Sequence, residues 1–368
     1  MPNPDFPDRL QRLLAAFLAL FITLASSRTT TTQSLLSPQP VFQFTRNGTW
    51  IENLAVRPNG DLLLTTVLPD GTLFLVQNPS SPQPRVLPIF TFPTNATHGI
   101  TEFSPDTFLV IASNISQSDN PANGVLGTNQ VWAVSLHDTS NPPAVTARVK
   151  KITDLPDAPR LNGAAAVPNS SVVLLGDSQL GAVFRLDTAT GKYTKAFQLP
   201  EMAPVPGSNS SDDALGINGM KVPGDGFLYF SNAASRTMYR TAITGDGFPA
   251  SGSGSNNPVE KIAQITSVPW LDDFDVRASD GSIFLTGSTG NVLLFIQRTG
   301  SGYAAPVVAA GALDQLALAT CTAAVFGRSS GGRSTAMLFV TTGGGLGGPV
   351  NGTVIEPAKV VAVDTSGL

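Results

Sequence analysis

An all-β, six-bladed β-propeller with four-stranded blades is the fold class that this 368-residue sequence predicts, and three observations carry it. Short apolar strands alternate along nearly the whole chain with turns containing Asn, Asp, Pro or Gly. That pattern recurs six times at intervals of roughly 50 residues, a period typical of propeller blades. The composition is the third: 35 Gly, 29 Pro and only 13% charged residues against 42% hydrophobic ones. Average soluble domains carry ~25% charged residues, and a coiled coil or long-helix bundle relies on them for its outer faces. Hydrophobicity at this level with a net charge of −4 also excludes a disordered chain. The 22 basic residues form no run longer than Lys150-Lys151 and leave no electrostatic footprint for nucleic acid.

The first copy reads as a strand over residues 51–56, a turn at Arg57-Pro58-Asn59-Gly60-Asp61 and a strand over 62–66. The second passes from His98-Gly99-Ile100 through Ser104-Pro105-Asp106 to 108–111, and the third from Asn162-Gly163-Ala164 through Pro168-Asn169 to 172–178, followed by 181–187. Copy four is the clearest, with Asn218-Gly219-Met220, the turn Pro223-Gly224-Asp225-Gly226, then strands over 227–232 and 237–240. Copy five runs from Asp272-Asp273 over 283–286 to 292–295, and copy six, the loosest, from Thr322 to 337–342. Period-2 strands joined by such turns fit hairpin-built blades. Residues 41–44 are expected to pair with 359–363, so that both chain ends close the ring and remove a free sheet edge. Residues 41–368 then form one domain, and the Ser/Gly/Asn-rich stretch 251–257 is a long loop.

Arg9 and Arg12 precede an apolar run over 13–24 that exits at Ala25-Ser26-Ser27. A charged start, about a dozen apolar residues and a small-residue exit describe a secretory signal peptide, assigned to residues 1–27. A membrane anchor needs ~20 apolar residues and this segment is short for one, although a retained anchor is the alternative; once the signal is removed, no stable membrane contact is expected. Residues 28–40 are expected to be a disordered mature N-terminus. Six Asn-X-Ser/Thr sequons, at Asn47, Asn95, Asn114, Asn169, Asn209 and Asn351, agree with passage through the secretory pathway, although a chain rich in these residues acquires some by chance. The lone Cys321 permits no internal disulfide and reads as a small core hydrophobe.

Blades that begin Glu52-Asn53, Asn162-Gly163 and Asn218-Gly219 make the chain resemble the gluconolactonase and senescence-marker-protein family of six-bladed propellers. The resemblance implies an axial divalent cation held by a Glu, an Asn and an Asp. Glu52 and Asn162 match, whereas Asn218 stands where the Asp belongs, which removes one of two carboxylates that a hard cation depends on. Were a metal bound, its ligands would be Glu52, Asn162 and Asn218. Three stretches, Trp50 to Arg57, Leu161-Asn162-Gly163 and Ala324 to Arg328, resemble the fungal secreted branch of these propellers, which is similar to the hetero-Diels-Alderases of tropolone sesquiterpenoid biosynthesis. That resemblance implies a cofactor-free enzyme of natural-product biosynthesis. Its partners would be a polyketide that loses water to a quinone methide and a terpene alkene that adds to it.

Residues just before each innermost strand ring one end of the central channel. In the reaction so implied, Glu52 and His98 are the candidates for proton transfer, while Asn162 and Asn218 donate hydrogen bonds to substrate oxygens. Trp50 and Trp270 stack on a flat ring, and Asn53, Asp273 and Thr322 complete the substrate-binding ring. Of Asp272 and Asp273 only one can face the axis, because strand neighbours point to opposite sides. Competing readings are structural: Glu52 as a clamp between blades, Asn-Gly as a plain turn, His98 as a satisfied core residue, the aspartates as solvated loop carboxylates. The run Gly343-Gly344-Gly345-Leu346-Gly347-Gly348 lacks the helix and Lys-Ser/Thr of a phosphate loop and reads as flexible. Ser211-Asp212-Asp213 lacks calcium-loop spacing, and no serine-hydrolase elbow is present. A metal-dependent lactonase and a non-catalytic binding propeller are the alternatives to the cycloaddition enzyme. Oligomeric state is not encoded in any motif.

Overall fold

The structure is a computed structural model and describes residues 35–116, 123–140, 143–205, 214–250, 258–300, 302–329 and 331–368. The expected signal peptide 1–27, the loop 251–257, Ser211-Asp212-Asp213 and the sequon at Asn209 lie outside the described residues. The described residues contain no α-helix, and none of their helical turns is long enough to cross a membrane.

In chain order, strand β1 spans Gln39–Gln43. Blade I holds β2 (Trp50–Val56), β3 (Leu62–Leu68), β4 (Thr72–Gln77) and β5 (Arg85–Thr91), and blade II holds β6 (Ala96–Ser104), β7 (Thr107–Ser113), β8 (Gln130–Ser140) and β9 (Pro143–Asp154). Blade III is β10 (Leu161–Ala166), β11 (Val172–Asp177), β12 (Ala182–Asp187) and β13 (Tyr193–Phe197). Blade IV is β14 (Ile217–Lys221), β15 (Phe227–Asn232), β16 (Thr237–Ala242) and β17 (Val259–Gln264). Blade V has β18 (Phe274–Val276), β19 (Ile283–Gly287) and β20 (Val292–Ile296), then a small hairpin, β21 (Arg298–Thr299) with β22 (Gly302–Tyr303), before its outer strand β23 (Val307–Gly311). Blade VI takes β24 (Cys321–Arg328), β25 (Ser334–Thr342) and β26 (Lys359–Asp364), and β1 completes it.

Each blade buries both faces, which explains why inner and middle strands read as unbroken apolar runs. In β3, Leu63 packs with Ala55, Leu73 and Leu75 against Ile100, Phe108 and Val110 of blade II. Its neighbours Leu62 and Leu64 point the other way, with Ile51 and Val56, against Ala323, Phe339 and Val360 of blade VI. Period-2 alternation thus feeds two inter-blade cores from one strand. The ring closes where β1 pairs antiparallel with β26, Gln39 opposite Ala362 and Gln43 opposite Lys359. The propeller starts earlier than residue 41: β1 begins at Gln39, and the Leu36 N–H already donates to Ala309 O at 2.7 Å. The segment 28–40 is therefore ordered from Leu35 onward, because its apolar end has a sheet edge to cover.

A recurring irregularity in the inner strands positions the site. The antiparallel register slips between Ile51 and Asn53, Thr97 and Ile100, Leu161 and Ala164, Ile217 and Met220, and Cys321 and Ala324. The residues skipped are Glu52, His98-Gly99, Asn162-Gly163, Asn218-Gly219 and Thr322-Ala323. A bulge re-aims a side chain that a regular ladder would commit to a face. In blade V, Asp272 and Asp273 hold the same place immediately before β18, bracketed by Asp272 N–H to Thr286 O and Thr286 N–H to Asp273 O, both 3.1 Å. The Asn-Gly pairs are therefore bulges within the inner strands rather than turns. Their glycines are required by close approach: a Cβ on Gly99 would strike Asn162 O, one on Gly163 would strike Asn218 O, and one on Gly219 would strike the Asp273 carboxyl.

Candidate active site

Two cavities open on the axis. One, of 680 Å³, lies where the inner strands begin and is lined by Trp50, Glu52, Arg160, Asn162, Asn218, Trp270, Asp272 and Thr320, with Val67, Leu68, Leu215 and Leu346 among its apolar walls. The other, of 760 Å³, lies at the opposite mouth, where Glu102 and Arg328 form an ion pair with each other. The blade-start residues Glu52, Asn162, Asn218 and Asp272 gather in the first.

Glu52 takes the Trp50 indole N–H on Oε2 at 2.6 Å, and its Oε1 stands 3.9 Å from His98 Nδ1. On the far side of the imidazole, Nε2 meets Ser113 Oγ at 2.9 Å and Arg160 Nη1 at 3.3 Å. A guanidinium can only donate, so Nε2 is the acceptor and the ring proton sits on Nδ1, facing Glu52. Asp177 secures the arginine from behind by accepting the Arg160 backbone N–H at 2.9 Å. Burial alone would raise the Glu52 carboxyl, but His98, the Arg160 charge and the Trp50 N–H outweigh it and hold the group below the usual carboxylate range. Burial and the nearby Arg160 charge push His98 down to about 4, with Glu52 opposing, so the imidazole is neutral at pH 7. Asp272 behaves oppositely. Burial first, then the charges of Glu52 and Asp273, carry its carboxyl well above the usual range, against a hydrogen bond from Asn218 and the charge of Arg160. One cavity thus holds two carboxyl groups displaced in opposite directions beside a buried guanidinium.

Among the residues singled out from sequence, Trp50, Glu52, Asn162, Asn218 and Trp270 line this cavity together. Four belong elsewhere. His98 is fully buried behind Glu52 and reaches no cavity surface, so it can orient the carboxylate but cannot touch a substrate. Asn53 and Asp273 lie one residue deeper, where Asn53 Nδ2 donates to Asp273 Oδ2 at 2.5 Å and ties blade I to blade V. The room for this pair comes from the glycine of the neighbouring bulge, Gly219. Thr322 is also spent on the frame: its hydroxyl donates to Ile51 O at 2.7 Å across the seam between blades VI and I. Cys321 is buried with its thiol pushed up by burial, and it donates to Val292 O, so it is no nucleophile.

Arg160 and Thr320 are polar lining residues that the sequence reading did not single out, and of the Asp272-Asp273 pair, only one of which was expected to face the axis, it is Asp272 that lines the cavity. Their signal lies in the repeat itself. Trp50, Arg160, Trp270 and Thr320 each stand two residues before the blade-start residues Glu52, Asn162, Asp272 and Thr322, so one repeat position supplies all four. Thr320 occupies the rim where Thr322 was expected, and Asp272, not Asp273, lines the cavity.

The set Glu52, Asn162 and Asn218 does not suit a divalent cation. It offers one carboxylate and two amides, with one Glu52 oxygen already on an indole N–H and the Arg160 charge beside it. Among the described residues, no three His, Cys, Asp or Glu side chains are grouped to hold a metal ion.

No protein-family model matches the chain. A protein of Phoma sp. provisionally named a hetero-Diels-Alderase is 29% identical over 350 residues, which is 90% of this chain and 94% of that one. A second, from Sarocladium schorii and provisionally named the same, is 28% identical over 344 residues, 87% and 82% of the two chains. The chain resembles named hetero-Diels-Alderases over most of its length. Among solved structures, a luciferin-regenerating enzyme superposes with a TM-score of 0.59 at 14% identity, covering 90% of this chain and 96% of the other. The PQQ-bound aldose sugar dehydrogenase of Streptomyces coelicolor gives 0.53 at 17%, covering 90% and 97%. Regucalcin of Agrobacterium tumefaciens, titled a calcium-binding protein, gives 0.53 at 13%, covering 89% and 95%. At these identities the likeness is one of fold.

Proposed function

We propose that the 680 Å³ cavity is the active site of a hetero-Diels-Alderase that joins a polyketide-derived quinone methide to a terpene alkene without a cofactor. One observation supports it above the rest: Glu52 and Asp272 sit in a single cavity with their carboxyls displaced in opposite directions. Two titratable groups held apart in this way make a base and an acid available at the same pH. The substrate that uses both is a flat ring bearing a hydroxyl beside a hydroxymethyl group, of the hydroxymethyl-tropolone type. Glu52 takes the ring hydroxyl proton while Asp272 protonates the hydroxymethyl oxygen. The carbon–oxygen bond breaks with its electron pair leaving on water, and the ring electrons form an exocyclic C=CH₂ and a ring C=O. The proton on Glu52 returns to Asp272 through cavity water.

The cycloaddition then forms one C–C and one C–O bond and gains or loses no atom. Trp50 and Trp270 hold the flat ring, and Leu68, Leu215 and Leu346 receive the hydrocarbon partner. Such proximity is worth several kcal/mol, up to ~7–11 for well-aligned partners. Arg160, Asn162 and Asn218 supply donors to the carbonyl oxygen of the heterodiene, which lowers the barrier by stabilising the charge that develops there. The leader pattern, with Asn47, Asn169 and Asn351 exposed, supports a location in the secretory pathway. Asn95 is less suited to carry a glycan, since its amide bonds Ile115 at both ends. The decisive experiment incubates purified protein with the alcohol precursor and a humulene-type alkene. Enantioenriched dihydropyran formed well above the background rate, and unchanged by EDTA, is the expected result; racemic product at the background rate overturns the reading.

A further inference from the structure

We propose that Gly343 and Gly347 form a side-chain-free bed that fixes the Trp50 indole as a wall of the cavity, and so determine which flat rings the site accepts. As to substrate class, this rests on the reading above. A Cβ on Gly343 would stand 2.9 Å from Trp50 Cδ2 and Cε3, and one on Gly347 would stand 2.9 Å from Cη2. The two contacts run along the benzo ring from its fused bond to its outer edge. Neither glycine has a positive φ, so the backbone does not demand glycine there; the indole does. Gly344 and Gly345 differ, with φ of 63° and 86°, and are glycines for the turn.

The bed is rigid. Gly343 N–H donates to Thr320 O at 2.7 Å, Leu346 N–H to Gly343 O at 3.1 Å and Glu356 N–H to Gly344 O at 2.8 Å. The run that reads as a flexible loop is a hydrogen-bonded platform, and Leu346 and Gly347 themselves reach the cavity. Two constraints therefore set Trp50. The bed fixes the plane of the indole, and the 2.6 Å bond from Nε1 to Glu52 Oε2 fixes its rotation within that plane. The accepted ligand is a planar conjugated ring, laid on the open face of the indole with its hydroxyl beside Glu52. The groups facing Glu52 are Trp50 on its own strand, His98 on β6, Arg160 ahead of β10 and Asp272 ahead of β18. Displacing the indole removes one of them.

The test is Gly347→Ala, read first by the indole N–H resonances, which are three because the chain has three Trp, with Trp50→Phe assigning that of Trp50. In the wild type the Trp50 resonance lies far downfield and titrates with Glu52; in Gly347→Ala it moves upfield and its titration moves to higher pH. Tropolone itself, as a flat-ring probe, binds about tenfold more weakly to Gly347→Ala. The variant Gly347→Ala/Trp50→Phe binds it as Trp50→Phe alone does, and KM for the flat-ring substrate rises while kcat stays within about twofold. Gly343→Ala repeats the test from the other end of the ring. Gly348→Ala, whose Cβ makes only an ordinary 3.4 Å contact with Thr289, is the neutral control. A wild-type Trp50 resonance and wild-type tropolone affinity in folded Gly347→Ala or Gly343→Ala would overturn the proposal. So would an equal loss of affinity on adding Gly347→Ala to Trp50→Phe. Neither readout needs turnover, so their success with no cycloadduct formed would defeat the reaction assignment and leave the bed standing.

Discussion

Replacing Arg160 with methionine keeps the bulk of the side chain and removes the guanidinium that lines the cavity. Its effect on Glu52 follows from the chain of contacts through His98, 3.9 Å from carboxylate to imidazole and 3.3 Å from imidazole to guanidinium. With the imidazole about 2 Å across, the charges are no more than ~9 Å apart, and at an effective dielectric of ~20 their attraction is about 2 kcal/mol. That is about 30-fold in the ionisation equilibrium of Glu52. The sign follows from the depressed carboxyl: Glu52 is a base above its folded value, and losing the cation raises that value. The acid limb of kcat/KM therefore moves to higher pH in Arg160→Met, so turnover at pH 5 falls far more than turnover at pH 8. Arg160→Lys keeps the acid limb near that of the wild type. Stopped-time assays of cycloadduct across pH 4–9 make the comparison, and superimposable acid limbs for Arg160→Met and wild type would refute the electrostatic role.

Three further outcomes follow from groups at other depths. His98 stays neutral in the fold down to about 4, whereas the unfolded chain takes up the proton near its usual 6.5, so stability falls as pH drops through that window. Urea unfolding should show a loss of about 2 kcal/mol between pH 8 and pH 5 from this group, absent in His98→Asn. Arg57, fully buried, binds Asp106 at 2.6 Å, Asp138 at 3.0 Å and Asp61 at 3.3 Å where blade I meets blade II, so Arg57→Met should lower stability by about 3 kcal/mol. It should leave kcat/KM unchanged below the unfolding transition, since it lies at the other end of β2 from the cavity. Thr322→Val deletes the hydroxyl bond across the ring seam and should lower stability by about 1 kcal/mol in the same assay, again with activity retained.

The fold was legible because a blade is a local repeat. Each copy carries its own turn signals, and strands buried on both faces show as runs such as Leu62-Leu63-Leu64 and Val172-Val173-Leu174-Leu175. Closure by β1 against β26 followed from the apolar ends of the chain. The residues at the blade starts were legible for the same reason, which brought Glu52, Asn162 and Asn218 onto one ring. What was hidden is parity. Strand alternation predicts which neighbour faces inward only in a regular ladder, and five of the six inner strands shift register at this position while the sixth begins just after it. In blade V Asp272 lines the cavity while Asp273 binds Asn53, and a sequence does not show which of two adjacent aspartates will be turned inward. Arg160 was hidden differently. A lone arginine before a strand looks solvated, and only its alignment with Trp50, Trp270 and Thr320, each two residues before a blade start, marks its position as the cavity rim. The glycine run read as flexible because the side chain it packs against, Trp50, lies far away in the sequence.

The most direct test supplies the diene in two forms. Glu52→Gln and Asp272→Asn are each assayed with the alcohol precursor, which must lose water, and with a quinone methide generated photochemically beside the same alkene. If the carboxyl pair makes the diene and the shaped cavity joins it, both variants lose at least ~100-fold with the alcohol, the usual scale of acid–base catalysis. With the preformed quinone methide they keep the wild-type rate within a few-fold and the wild-type enantiomeric excess. Equal losses with both dienes, or undiminished turnover of the alcohol, would contradict the account.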